Sequence, residues 1–307
     1  MNSNKQLPAQ TRLLKKVKST VVGYLYIAPI MLGILLFTMV PMFTSLYYSF
    51  FDFKIFDNQP SNFGFQNYIK PFTTDWDNFG NSLSVTFVYT IIGLPVGMVL
   101  SFALALFLNK DIFGIKVFRV IYYIPVLIPA VVSGLLWSDL TDYDIGFFNT
   151  LFTKLGWPKY GFYSMPETVL PTLIFMGLFS IGGGMILWIA QLKGIPETLY
   201  EASRLEGAGF WTNTFRITIP MCTPMIFYNL ITGIIGSLQT FAGAFMLITP
   251  ANSEQLDFIV VRIYNTAFGS MDMGYACALS WLLFLLIAVL SAVVFKTSRW
   301  VFYGEEN

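Results

Sequence analysis

The side chains that usually carry out enzymatic chemistry are almost missing from the apolar parts of this sequence. Histidine does not occur among the 307 residues, which removes the most common general base and metal ligand. Ser180 and Ser237 lie in charge-free runs, so neither has a base that would activate it as a nucleophile. Cys222 and Cys277 also lie in apolar runs and are interpreted as small buried hydrophobic residues. We therefore predict that the chain is not an enzyme and holds no metal.

The composition indicates a membrane protein. Hydrophobic residues make up 55% of the chain and charged residues only 11%, whereas soluble domains carry roughly 25% charged residues. The net charge of +1 argues against nucleic-acid binding, which needs clustered Lys and Arg.

Charge-free runs predict six membrane-spanning helices, because the shortest run is long enough to cross a hydrocarbon layer of roughly 30 Å. The predicted spans are 19–51, 78–109, 120–138, 168–192, 217–253 and 273–295. We expect the longest of them, 217–253, to be one span with an extra helical turn and a polar end, although a re-entrant piece there is an alternative. Prolines within several spans, and the glycines at 182–184, predict bent helices around an internal cavity.

The distribution of Lys and Arg predicts the orientation. Alternate connections together with the N-terminal tail hold most of the 18 positive residues, and the opposite side holds only Lys54, Lys70, Lys154, Lys159 and Arg262. The positive-inside rule then places both termini in the cytoplasm. The basic stretch RLLKKVKS before the first span is interpreted as part of a retained signal anchor.

None of the predicted spans contains Asp, Glu, Lys or Arg. Proton relays and ion-coupled carriers normally need such residues at membrane depth, so a secondary carrier is the weaker alternative. The phosphate-binding sequence G-x-x-x-x-G-K-[ST] is also missing from the sequence. If ATP drives this protein, another chain has to bind it.

One polar stretch interrupts the apolar sequence between the fourth and fifth spans, ETLYEASRLEGAGFWTNTFRITIP at 197–220. Leu199, Ala202 and Leu205 have the spacing of one helix face, which predicts a short amphipathic helix. Gly207 and Gly209 are expected to end it. Small residues at this point would let another backbone approach closely, although an ordinary solvated loop is an equally simple interpretation.

This stretch resembles the EAA loop of importer permeases in the ATP-binding-cassette (ABC) superfamily. The similarity lies in EAS at 201–203, EGA at 206–208 and ITIP at 217–220, with Ser203, Glu206 and Ile219 as small departures. The preceding AQLKGIP, the segment GFQNY at 64–68 and GFFN at 146–149 are similar to the sugar-permease branch.

The resemblance implies an all-α integral membrane protein with the type I ABC importer transmembrane fold, six transmembrane helices and a cytoplasmic coupling helix. It implies a cytoplasmic tail at 1–19 and a permease domain at 20–304, with its core at 80–300 and a coupling loop at 193–216. The coupling residues would be Glu201, Ala202, Ser203, Glu206, Gly207 and Ala208.

The same resemblance implies the partners. A separate ATPase dimer would bind ATP and Mg, and this chain would hold no cofactor. The other partners would be a second homologous permease, more often unlike than identical, and an extracellular or periplasmic binding protein. That protein would dock on the outward segments 52–77 and 139–167.

The cargo is expected to be a sugar, an oligosaccharide or a glycoside, and the alternative is a non-sugar solute such as glycerol phosphate. By comparison with a maltodextrin permease, the substrate path is expected near Ser180, Gly183, Gly233 and Ser237, together with Met176. Gln239 and Thr240 lie close to these positions in the sequence and are expected to supply hydrogen bonds. Trp188, Tyr228 and Asn229 are further candidates. Each of these residues could instead simply pack helix against helix.

Overall fold

The computed structural model describes residues 9–56, 59–110 and 112–301, with side chains from residue 20 onward. All regular elements in these ranges are helical, apart from two isolated bridges between Asp52 and Ser61 and between Lys54 and Asp272. The α-helices are Ala9–Ile34, Val40–Ser49, Gln66–Ile69, Trp76–Leu108, Ile115–Tyr123, Ala130–Leu140, Phe147–Lys154, Pro166–Leu178, Gly182–Lys193, Glu197–Leu205, Phe210–Asn213, Ile219–Met221, Thr223–Leu238, Ala242–Phe245, Ile259–Tyr264 and Met273–Lys296. Short π-helical turns (Leu35–Met39, Thr214–Thr218, Asn265–Gly269) and 3-10 turns (Lys70–Phe72, Ile124–Leu127, Ser298–Trp300) continue or connect them.

Four of the helical segments are long and apolar enough to cross a membrane without a sharp bend. They are span 1 (Thr20–Ser49), span 2 (Trp76–Leu108), span 5 (Thr223–Phe245) and span 6 (Met273–Lys296). Two bent helix pairs pass the same test together, span 3 (Ile115–Leu127 with Ala130–Leu140) and span 4 (Pro166–Leu178 with Gly182–Lys193). Counting each bent pair as one crossing gives the six spans that the sequence predicts.

Span 3 contains one of the bends that the prolines within the spans predict. Its two halves meet at an angle of 98°. Ile128, which precedes Pro129, has extended backbone angles (φ −79°, ψ 125°), because the proline ring excludes the helical conformation from the residue before it. Pro129 then caps the second half, so the charge-free run at 120–138 hides a break.

Span 4 is also interrupted, with a bend of 47° at residues 179–181. Gly182, which begins its second half, lies directly against the backbone of span 3: a Cβ on this glycine would overlap the carbonyl oxygen of Tyr122 and come within 3.1 Å of Tyr123 Cα. The break in span 4 therefore lies directly against the first half of span 3, and the glycine permits this contact.

Span 5 contains the third interruption. Its long helix ends at Leu238, residues 239–241 leave the helical path, and one further turn follows at Ala242–Phe245. This agrees with the predicted single span with an extra helical turn.

Three clusters of buried apolar residues hold the spans together. One lies near the 193–216 loop and centres on Trp188, Met185 and Leu108 of spans 2 and 4. A second lies near the 139–167 segment and includes Leu256 and Phe258. The third joins spans 2, 5 and 6. We call the two ends of the bundle the 193–216 end and the 139–167 end.

Span 1 packs differently from the rest. No residue of its most apolar stretch is buried within this chain. It is tied to span 6 near the 139–167 end, where Trp281 Nε1 donates to Ser45 Oγ at 3.2 Å.

Replacing Gly182 with Ala is expected to lower the free energy of unfolding by about 1–3 kcal/mol, because the added methyl group meets backbone atoms that cannot rotate away. Gly97→Ala is the matched control, since nothing lies within 4 Å of a Cβ there. Thermal unfolding of the two purified variants in detergent would measure the difference. Equal midpoints would contradict the close contact between spans 3 and 4.

Candidate functional site: an internal cavity and the 193–216 loop

A cavity of about 570 Å³ lies between spans 2, 4 and 5. This volume is within the range of small-molecule binding sites. A third of its lining consists of glycines from all three spans: Gly93, Gly97, Gly177, Gly184, Gly233 and Gly236. Without side chains at these positions, the walls are formed largely by helix backbone.

Two of these glycines also let the helices approach each other. A Cβ on Gly233 would overlap the side chain of Leu94, and a Cβ on Gly184 would lie 3.3 Å from Ser101 Oγ. Small residues thus set the distance between spans 2, 4 and 5 as well as the width of the cavity.

The polar groups of the lining are uncharged. They are hydroxyl and amide side chains, Ser101, Ser180, Asn229, Thr232, Ser237, Thr240 and Tyr89. The lining contains no Asp, Glu, Lys or Arg among the residues that the structure describes. Such a surface can bind a ligand through hydrogen bonds, but it supplies no acid, base or metal ligand for a reaction.

Four of the predicted path residues line this cavity: Ser180, Gly233, Ser237 and Thr240. Gly183 lies outside the lining, where a Cβ would be 3.5 Å from the side chain of Val126 in span 3. Gln239, which caps the long helix of span 5, is also outside it.

The remaining candidates are placed in different surroundings. Asn229 lines the cavity. Trp188 is buried behind it, and its Nε1 donates to Ser101 Oγ at 3.1 Å. Tyr228 is 52% exposed on the outside of span 5, and Met176 Sδ accepts a hydrogen bond from the Tyr163 hydroxyl at 3.6 Å.

Sequence reasoning missed the contribution of span 2. Tyr89, Gly93, Gly97 and Ser101 all line the cavity, and they are spaced by four residues along one helix face. This repeated spacing of small and hydroxyl-bearing residues is the feature of the sequence that marks one face of span 2.

The second candidate site is the 193–216 loop, where a helix forms at Glu197–Leu205 as predicted. Glu201 and Ala202 are exposed, and Ser203 Oγ donates to Tyr200 O at 2.9 Å. The side chain of Leu205 is 91% exposed at the end of the helix. A mostly solvent-facing helix with an exposed leucine is suited to contact with another protein.

Gly207 shapes the turn that follows. Its φ of +77° lies in the left-handed region, which glycine adopts without steric cost. Its N–H donates to Arg204 O at 3.0 Å, and the N–H of Ala208 donates to Ser203 O at 2.9 Å, so the turn satisfies the free carbonyl groups at the helix end.

The loop is also fixed to the bundle. The hydroxyl groups of Tyr200 and Thr218 are 2.9 Å apart, which ties the helix to the segment that leads into span 5. A movement of the helix can therefore be passed on to that segment.

Comparison with known proteins identifies the family. No family model matches the chain. It is, however, 32% identical over 296 residues to the probable ABC transporter permease protein YesP of Bacillus subtilis (strain 168), and the match covers 94% of both chains. The chain belongs to the ABC transporter permeases. It is also 28% identical over 289 residues to the probable starch degradation products transport system permease protein AmyD of Thermoanaerobacterium thermosulfurigenes, which covers 93% of this permease and 97% of that protein.

A solved structure supports the fold of the permease. The crystal structure of a bacterial alginate ABC transporter in complex with an alginate pentasaccharide-bound periplasmic protein contains a chain that matches with a TM-score of 0.83. The match covers 94% of this permease and 97% of that chain at 24% identity. The permease is thus a multi-pass membrane transport subunit rather than an enzyme, and ATP binding lies in the separate ATPase.

At the 139–167 end, the permease contains a cluster of charged side chains that sequence reasoning did not detect. Arg262 lies between two carboxylates, with Nη2 3.3 Å from Asp75 Oδ1 and Nη1 3.1 Å from Asp257 Oδ2. All three side chains are at least four-fifths buried. Tyr275 Oη donates to Asp75 and Ser82 Oγ donates to Asp257, each at 2.6 Å. The cluster joins the residues just before span 2 to the 246–272 segment and to span 6.

The two carboxyl groups respond differently to this environment. Burial raises the pKa of Asp257, although Ser82 and Arg262 act to lower it. Burial also acts to raise the pKa of Asp75, but hydrogen bonds from Tyr275 and Asn78 and the charge of Arg262 lower it below its usual value. The contribution of Asp75 to stability is therefore present above its ordinary pKa and is lost as the pH falls through the lowered pKa.

Arg262→Met is expected to destabilise the permease by about 3–5 kcal/mol, because two buried carboxylates would lose their only cationic partner within the described residues. Lys159→Met is the control, since its partner Asp144 is 82% exposed and such a surface pair contributes only about 0–1 kcal/mol. Thermal unfolding in detergent at neutral pH compares the two variants. A midpoint for Arg262→Met as high as that of Lys159→Met would contradict the stabilising role of the cluster.

Proposed function

We propose that this permease imports a sugar, an oligosaccharide or a glycoside, across the cytoplasmic membrane by alternating access. The observation that carries the proposal is the uncharged cavity between spans 2, 4 and 5, which offers hydroxyl and amide groups at membrane depth. Sugars present many hydroxyl groups that such side chains can bind in place of water. The names of the similar proteins, a transporter of starch degradation products and an alginate transporter, support the same substrate class.

The orientation we propose follows from the positive-inside rule. The 193–216 end carries Lys193, Arg204 and Arg216, so it lies in the cytoplasm. Both termini are then cytoplasmic, and the 139–167 end faces outward.

In this orientation the 193–216 loop is the contact to the ATPase. Glu201, Ala202, Ser203, Glu206, Gly207 and Ala208 form a compact knob that enters a cleft of the ATPase, which binds ATP and Mg. The Tyr200–Thr218 contact supports this role, because a movement of the knob can be passed on to the segment that leads into span 5, which lines the cavity. A second permease subunit, of a different sequence, completes the transporter.

A sugar-binding protein delivers the substrate at the opposite end. The segments 52–77 and 139–167 form that face together with 246–272. The periplasmic protein bound to the alginate transporter supports a partner of this kind.

The alternative cargo, an anion such as glycerol phosphate, is less well supported. A phosphate group buried in the cavity would need a cationic partner, and this chain contributes no Lys or Arg to the lining among its described residues.

Uptake by the reconstituted complex tests the sugar assignment. We expect the permease, its partner subunit, the ATPase and the binding protein to take up at least one labelled saccharide in an ATP-dependent manner. Ser237→Leu should lower this uptake at least tenfold, because the leucine side chain fills part of the cavity. The control Ser291→Leu changes a serine of span 6 that is outside the lining and whose Oγ has no hydrogen-bond partner in the described structure. Transport of glycerol phosphate but of no saccharide would contradict the proposal.

Gly207→Val tests the coupling role. The φ of +77° is strongly unfavourable for a β-branched residue, so the turn would change shape and uptake should fall more than tenfold while membrane insertion continues. Gly209→Val is the matched control, because the φ of Gly209 is −84° and nothing lies within 4 Å of a Cβ at either glycine. ATP-dependent uptake by the two variants gives the comparison. Normal uptake by Gly207→Val would remove the coupling role.

A further inference from the structure

We propose that Tyr89 of span 2 is a substrate-binding residue that determines specificity, and that it acts together with Thr240. This inference rests on the proposed sugar transport. It adds a residue of span 2 to a site that sequence comparison places on spans 4 and 5 alone.

The position of Tyr89 in the cavity supports the proposal. Tyr89 is the only aromatic residue of the lining within the part of the chain that the structure describes. Its side chain is half-buried, so one part packs in the protein and another remains accessible. An aromatic ring with a polar tip is suited to sugars, which present both C–H groups and hydroxyl groups.

The ring is held firmly by neighbouring contacts. It packs edge-to-face on Phe258, with the ring centres 5.3 Å apart. The segment around Phe258 is itself bound to the same face of span 2, because Ile259 N donates to Thr86 Oγ1 at 3.0 Å and Ser82 Oγ donates to Asp257. Ser82, Thr86 and Tyr89 follow one another at helical spacing, so these bonds fix the ring from the 139–167 end.

The hydroxyl group of Tyr89 is available to a ligand. Thr240, in the interrupted part of span 5, lines the same cavity. The Thr240 hydroxyl donates its proton to Ser237 O at 2.8 Å, so its oxygen remains an acceptor. On the side of span 4, Gly177 leaves room for a ligand atom, since a Cβ there would lie 3.4 Å from Tyr89 Oη.

Tyr89 and Thr240 thus offer one O–H donor and two acceptor oxygens at one point of the cavity. A sugar hydroxyl both donates and accepts, so it can form one hydrogen bond with each of the two side chains. Sites that bind a substrate hydroxyl in this way reject analogues without it. If the role of Tyr89 were packing alone, its ring would suffice and its hydroxyl group would be dispensable.

The test is Tyr89→Phe in the complete reconstituted complex, with labelled maltotriose, cellotriose and diacetylchitobiose, three uncharged saccharides, as probes. The ring and its contact with Phe258 remain, and only the hydroxyl group is lost. We expect the KM for the transported probe to rise about tenfold, equivalent to about 1.4 kcal/mol. Tyr163→Phe is the matched control, because Tyr163 is outside the lining and its hydroxyl bonds only to Met176 Sδ among the described residues; its KM should equal that of the wild type.

A second variant guards against an indirect effect. Thr240→Val should raise the KM in the same way, and the double variant should be little worse than either single variant, because both side chains bind the same hydroxyl group. A KM for Tyr89→Phe within twofold of the wild type would overturn the inference while leaving sugar transport intact. If the wild-type complex takes up none of the three probes, sugar transport itself is contradicted and the role of Tyr89 falls with it.

Discussion

The fold of this permease depends on one constraint, that every backbone N–H and C=O group at membrane depth has to be satisfied within the protein or by water in a cavity. Three of its six spans are interrupted, at Pro129, at residues 179–181 and at residues 239–241. The break in span 4 lies against the first half of span 3 at Gly182, and the breaks in spans 4 and 5 border the cavity. Bent helices and the cavity are therefore consequences of the same requirement.

The described residues that line the cavity carry no charge. A transport site that releases its cargo in every cycle cannot bind it very tightly, and single hydrogen bonds from hydroxyl groups contribute only about 0.5–1.5 kcal/mol each. The charged side chains of the described structure lie instead toward the ends of the bundle. Arg262 and its two carboxylates join spans 2 and 6 at one end, and the exposed helix Glu197–Leu205 lies at the other. The 193–216 end and the 139–167 end can then move relative to each other, because local contacts hold each end together.

Features that depend on local sequence could be predicted. The spans follow from runs without charge, the short helix from the spacing of Leu199, Ala202 and Leu205, and the turn from Gly207. The prolines within the spans predicted bent helices, but the size of the bend in span 3, 98°, could not be predicted, because hydrophobicity does not distinguish a slightly kinked apolar helix from a broken one. The cluster of Asp75, Asp257 and Arg262 was missed because Asp75 and Arg262 are 187 residues apart in the chain. Tyr89 was missed because the four-residue spacing of Tyr89, Gly93, Gly97 and Ser101 marks one helix face but does not show whether that face lines a cavity or packs against another helix.

Span 1 contacts the other spans through its second half, Val40–Ser49, which packs on span 6. Its most apolar stretch has no buried residue, so shape complementarity within this chain places little restriction on the side chains there. Apolar residues of different shape can therefore replace one another in that stretch, whereas Gly182 and Gly233, which lie directly against neighbouring spans, cannot gain a side chain without displacing other atoms. Within a single polypeptide, substitutions in the lipid-facing part of one helix are thus limited by hydrophobicity alone, whereas substitutions in the neighbouring helices are also limited by packing.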